Sequence, residues 1–136
     1  MKMLLKAYPA VFMPEEDGGY LIDFPDIQGA YTSIYEDAEI AFGLSMAEEA
    51  LGGILAMIIE KNMLMPLPTP INELEAPEGG FVTLVKVDLE VYLRDSTPVK
   101  KTLTIPRWAN ELGKRLNVNF SKLLTSAIVA EHSNKK

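Results

Sequence analysis

The sequence predicts an α+β protein in two parts, a β-β-β-α-β domain over residues 1–95 and a β-α-α unit over residues 96–136. Three observations predict it. Short apolar runs separated by Gly- and Pro-containing turns lead into one long helix with an apolar stripe. Near the C-terminus a period of two changes to a helical period within a few residues. Charge is also segregated. Residues 96–136 hold eight Lys/Arg and two acids, net +6, whereas residues 1–95 hold five Lys/Arg and seventeen acids, net −12.

Residues 2–13 are rich in Leu, Ala, Val, Tyr and Phe and predict a first strand, with Pro9 placing it at an edge or bulge. Residues 13–19 (MPEEDGG) are a turn, since Asp-Gly and Gly-Gly supply the positive φ of a hairpin loop. Residues 20–24 return as a strand, Pro25 to Gly29 turn again, and residues 30–34 form a third strand. Connections this short predict an antiparallel meander. Ser33 and Glu36 stand at capping-box spacing, which predicts a helix over about residues 35–61. Its apolar stripe is Ile40, Ala41, Leu44, Ala47, Leu51, Ile54, Leu55, Ile58 and Ile59. Gly43, Gly52 and Gly53 predict either close approach to the sheet or a break near Gly52. Pro66, Pro68 and Pro70 stop the helix, an acidic connector follows, and residues 81–87 (FVTLVKV) return to strand. Residues 88–94 read as a short helix or turn, and Asp95-Ser96-Thr97-Pro98 as the linker.

Beyond the linker, Val99, Lys101, Leu103 and Ile105 alternate with Lys100, Thr102 and Thr104, the period of a strand with one buried face. Pro106 ends it. Trp108, Leu112 and Leu116 then mark one helix, and Phe120, Leu123, Leu124, Ala127 and Ile128 a second, capped by Asn119. A lone strand and two short helices have apolar faces and little to pack them against. Two copies that pair their strands and interlock their helices resolve this. The segment resembles the ribbon-helix-helix DNA-binding family over residues 99–128, on its TLTIP strand, its helix of about ten residues, and the NFSKLLTSAI helix after a turn. That resemblance implies a dimer core of Leu103, Ile105, Trp108, Leu112, Leu116, Leu123, Leu124 and Ile128. It implies a ribbon in the major groove of operator double-stranded DNA, with Lys100, Thr102 and Thr104 at base edges. Arg107, Asn119, Phe120, Ser121 and Lys122 would hold phosphate near the start of the second helix.

Composition narrows the remaining functions. Apolar content of 48% indicates a folded chain. There is no Cys, so no disulfide and no thiolate metal site. The one His, His132, stands in a polar tail and reads as solvated. No metal or other cofactor is expected. No apolar run reaches the ~20 residues of a membrane span, so no membrane partner is expected. The N-terminus reads as a strand rather than a signal, and with the absence of Cys this favours the cytoplasm.

The run YPAVFMPEEDGGYLIDFPDIQGAYTS, then EDAEIAFGLSMAEEAL and the proline loop PLPTP, resembles the HicB antitoxin family over about residues 8–70. The matching features are the acidic-Gly-Gly-Tyr hairpin, Phe24-Pro25-Asp26-Ile27 with Gly29, and the alanine-rich helix opening at Glu36-Asp37-Ala38. The family usually has a Gly-acidic-Thr turn before the helix where this chain has Thr32-Ser33-Ile34. The resemblance implies a truncated ribonuclease-H-like N-terminal domain, and an antitoxin that binds a small basic, HicA-like ribonuclease toxin and represses its own operon. It also implies no catalytic residues. Candidates for toxin contact are Glu15, Glu16, Asp17, Asp23 and Asp26. Two other functions remain open. One is a weak metal-dependent nuclease, in which Asp23, Asp26, Glu36 and Asp37 would hold magnesium. The other is a ribbon-helix-helix repressor that senses a small ligand. For the carboxylates the competing reading is local: turn residue, capping partner, first-turn acid and outward strand residue.

Overall fold

In the computed structural model, which describes residues 4–94 and 97–134, four strands form one antiparallel sheet. They are β1 (Leu5–Pro14), β2 (Tyr20–Asp23), β3 (Tyr31–Ile34) and β4 (Phe81–Asp88), in the order β3-β2-β1-β4. α1 (Ile40–Glu60) packs on one face, and α2 (Arg107–Arg115) and α3 (Phe120–Asn134) follow as a C-terminal pair. Asp95 and Ser96 of the predicted linker, residues 1–3, and the side chain of His132 lie outside the described residues.

Alternation builds the core. Tyr8, Ala10 and Phe12 of β1 are buried, and the register carries their face to Ile22 on one side and Val85 on the other. Ala47, Leu51 and Leu55 of α1 close over it, all fully buried. Phe12 stacks on Phe81 with centroids 4.4 Å apart, and Tyr20 meets both rings edge-on. Pro9 does not place β1 at an edge, because β1 is central. β2 pairs with β1 only from Val11 onward, so β1 has no β2 partner at Pro9.

α1 begins at Ile40, five residues later than predicted, and the Ser33–Glu36 capping box does not form. Ser33 is held in β3 opposite Leu21, and a turn with Ala38 N–H donating to the Tyr35 carbonyl intervenes. The helix opens instead on the Glu39 carbonyl, which accepts from Phe42 and Gly43. The predicted stripe is covered only from Gly43 and Ala47 onward; Ile40, Ala41 and Leu44 are exposed. At 21 residues with mean hydropathy 1.5, α1 is also long and apolar enough to cross a membrane, contrary to expectation. Its buried face is nonetheless filled by the sheet. It ends with Asn62 at φ +57°, where Asn62 and Met63 N–H donate to the Ile59 and Ile58 carbonyls in a Schellman closure.

No break occurs at Gly52. The ring of Tyr92, just past β4, lies where a Gly52 Cβ would be, whereas Gly53 has nothing within 4 Å. These neighbours therefore respond oppositely to one substitution. Gly53→Ala should stabilise by roughly 0.5–1 kcal/mol through helix propensity. Gly52→Ala should destabilise by roughly 1–3 kcal/mol by displacing Tyr92. Urea unfolding of the two variants checks this; equal effects would contradict the Tyr92 packing.

Candidate functional site

In the C-terminal unit, residues 97–106 form no regular ladder within the single chain and are exposed. Their predicted parity is nevertheless visible. Val99, Lys101, Leu103 and Ile105 line a groove of about 850 Å³ whose other walls include Trp108, Leu112, Leu116, Leu123 and Leu124. Lys100, Thr102 and Thr104 are exposed and do not line it. Lys101 is thus the one charged residue in a mostly apolar lining, which also includes Asn110, Ser121 and Thr125. Ile128, predicted alongside these residues, is exposed and outside the groove. The groove is left open: Leu103 is 57% exposed and Trp108 71%.

The helix pair is fixed by its turn. α2 closes with Asn117 at φ +55°, whose N–H donates to the Lys114 carbonyl while Val118 N–H donates to Gly113. Gly113 lies under the Phe120 ring, where a Cβ would come within 2.5 Å. Asn119 caps α3, its Oδ1 accepting from Lys122 N–H at 3.1 Å. Of the predicted phosphate-holding groups, the Lys122 N–H and the Asn119 side chain are therefore engaged with each other. The N–H groups of Phe120 and Ser121 lie in the first turn ahead of the first helical bond, at the positive end of the helix dipole. Arg107 and the Lys122 side chain are exposed.

The acids divide into two kinds. Glu15, Glu16 and Asp17 form the exposed β1–β2 hairpin tip, with Gly18 at φ +95° and Asp17 Oδ1 accepting from Gly19 N–H. This tip adjoins Glu36: a Gly18 Cβ would lie 2.7 Å from Glu36 Oε2. Asp23 is half-buried in β2, opposite Val11 and Tyr31. Asp26 ties two loops together. Its two oxygens accept from Thr69 N–H at 2.9 Å and Thr69 Oγ1 at 2.5 Å, pinning the proline loop to the β2–β3 turn. Tyr8 Oη pins the same loop by donating to the Pro66 carbonyl. Burial, and then the charge of Asp26, push the Tyr8 hydroxyl up to about 12, so it stays a donor through neutral pH. Both clamps join residues far apart in sequence, and no local pattern announces Thr69 or Pro66 as partners. Among the described residues no three His, Asp or Glu side chains gather as a metal site.

The mixed α+β fold, an antiparallel sheet with helices, is similar to that of known antitoxin structures. The chain matches over 93% of its length one chain of a toxin–antitoxin complex from Streptococcus pneumoniae, with TM-score 0.59, 34% identity and 99% of that chain covered. It shares the fold of the Burkholderia pseudomallei antitoxin HicB, with TM-score 0.65 at 24% identity over 90% of this chain and 96% of the other. Among curated proteins it is 35% identical over 65 residues to antitoxin HicB of Escherichia coli K12, covering 48% of this chain and 45% of that one. It is 38% identical over 66 residues to antitoxin HicB 1 of Photorhabdus laumondii, covering 48% and 41%. These matches span just under half the length of each curated relative. The model of the HicB-like antitoxin of bacterial toxin–antitoxin systems matches residues 8–111. The chain belongs to the HicB-like antitoxin family.

Proposed function

We propose that this chain is the antitoxin of a two-protein system and works at both ends. The acidic sheet domain binds and neutralises a small basic ribonuclease toxin. The C-terminal unit is a ribbon-helix-helix module that dimerises, binds operator DNA in the major groove and represses the operon, in the cytoplasm where that DNA is. Family membership supports the first half, and so does charge: a protein surface built to hold RNA phosphates is cationic, and carboxylates compete for it. The observation that carries the second half is the open groove. Its walls are the apolar side chains that a second copy would cover, while the cations and threonines predicted to face DNA stay outside it.

The metal-dependent nuclease gains no comparable support. Asp26 is engaged with Thr69 through both of its oxygens.

Neutralisation is tested by co-expressing the chain with the short basic protein encoded beside its gene. Co-purification and restored growth are expected; growth arrest unaffected by the chain would contradict the reading. For the DNA end, Lys100→Ala should relax base preference and lose roughly 1–3 kcal/mol at the base it contacts. A gel-shift titration with unchanged preference would count against Lys100 as a base reader.

A further inference from the structure

The sheet has two outer edges, and they differ. β4 carries an exposed lysine, Lys86, of the kind that keeps edges from pairing with other strands. β3 (YTSI) has no Lys, Pro or Gly and pairs only with β2, so its outer backbone groups have no ladder partner. Apolar side chains are exposed on both sides of it, Tyr31 on the sheet face away from α1 by the register, and Ile40 and Leu44 on α1 itself. Tyr31 is 64% exposed and Tyr35 81%. On α1, Ile40, Gly43, Leu44 and Ala47 share one face by their spacing. Gly43 rests on Ile34 of β3 and Ala47 is buried, yet Ile40 and Leu44 remain exposed. A stripe that is covered in its middle is open at its first turn. Single exposed apolar residues are ordinary; several together at an unguarded strand are not.

Charge identifies what covers them. The segment joining β3 to α1 carries Glu36, Asp37 and Glu39, all exposed, and the acidic hairpin tip adjoins Glu36. Residues 7–60 contain eleven acids and no Lys or Arg. A second copy that presented its own sheet domain to this edge would set acid against acid, and nucleic acid would be repelled. We propose that the free edge of β3, with Tyr31, Tyr35, Ile40 and Leu44 beside it, is the docking surface for a small cationic protein that adds a strand there. Main-chain hydrogen bonds along β3 supply the register, and Glu36, Asp37 and Glu39 meet the partner's cations. The partner is the basic toxin of the proposed function, so this inference rests on that reading and gives it a surface.

The test is a calorimetric titration of the chain with a short basic protein encoded beside its gene. Tyr31→Lys with Ser33→Lys places guarding charges on two exposed positions of β3. Glu36→Lys with Asp37→Lys reverses the adjoining acids without touching the strand. Glu48→Lys with Glu49→Lys makes the same charge change on the exposed side of α1. The first two pairs should each weaken binding by about tenfold or more, and the third by much less. Operator binding should be unchanged in all three, and their circular dichroism should match the parent. Equal affinity of parent and β3 variants would overturn the surface while leaving the antitoxin reading intact, as would equal weakening by all three pairs. No binding by the parent chain would overturn the antitoxin reading and the surface with it.

Discussion

Leu103→Asp is expected to convert the protein to a monomer and abolish operator binding in the same step. Leu103 lines the groove with Lys101 and Ile105 of the segment before α2 and with the leucines of α2 and α3. In the isolated chain it is 57% exposed, so a carboxylate there costs little and the monomer should fold normally. In the proposed dimer the same position is enclosed by apolar side chains from both copies. Two carboxylates would be buried per dimer, each at a cost of several kcal/mol, which should dissociate it. DNA binding fails with dimerisation because a single strand has no partner with which to form a groove-filling ribbon. Sedimentation and gel shift on the same sample test it. Toxin binding should survive, since the sheet domain is untouched. A monomer that still binds operator would remove the ribbon from the account.

Phe12→Ala should be the most damaging single change to the sheet domain. Phe12 is fully buried, stacks on Phe81, meets Tyr20, and lies under α1 where Gly43 allows close approach. Removing a ring from such a site costs roughly 3–5 kcal/mol, combining lost transfer energy with the cavity left behind. Against a total stability of roughly 5–15 kcal/mol this is about a fifth or more. At roughly 4–8 °C per kcal/mol for a domain of this size, Tm should fall by roughly 12 °C or more. A loss below about 1 kcal/mol would mean that the three-ring cluster is not packed as described.

The parts legible in the sequence are those set by local period. The four strands, the long helix and the two C-terminal helices follow from alternation, stripes and turn residues. So does the sorting of Leu103 and Ile105 from Lys100, Thr102 and Thr104. What was hidden depends on partners distant in sequence. Ser33 has the chemistry of a helix cap, but pairing with β2 holds it in a strand, and the helix starts five residues later. Pro9 indicates an edge, and the chain instead shortens β2 so that a central strand can tolerate it. Asp26 looks like a free turn carboxylate until the proline loop returns to place Thr69 against it. Gly52 and Gly53 are alike in sequence, and only Tyr92 distinguishes them.

In the proposed function one chain joins a cationic protein at its acidic sheet to DNA at its basic end, as a dimer. Analytical ultracentrifugation of the chain with a basic protein encoded beside its gene and a duplex from its own promoter measures all three together. The account predicts one sedimenting complex containing two copies of the chain, the basic protein and the duplex. A chain that sediments as a monomer beside both unbound components would contradict it.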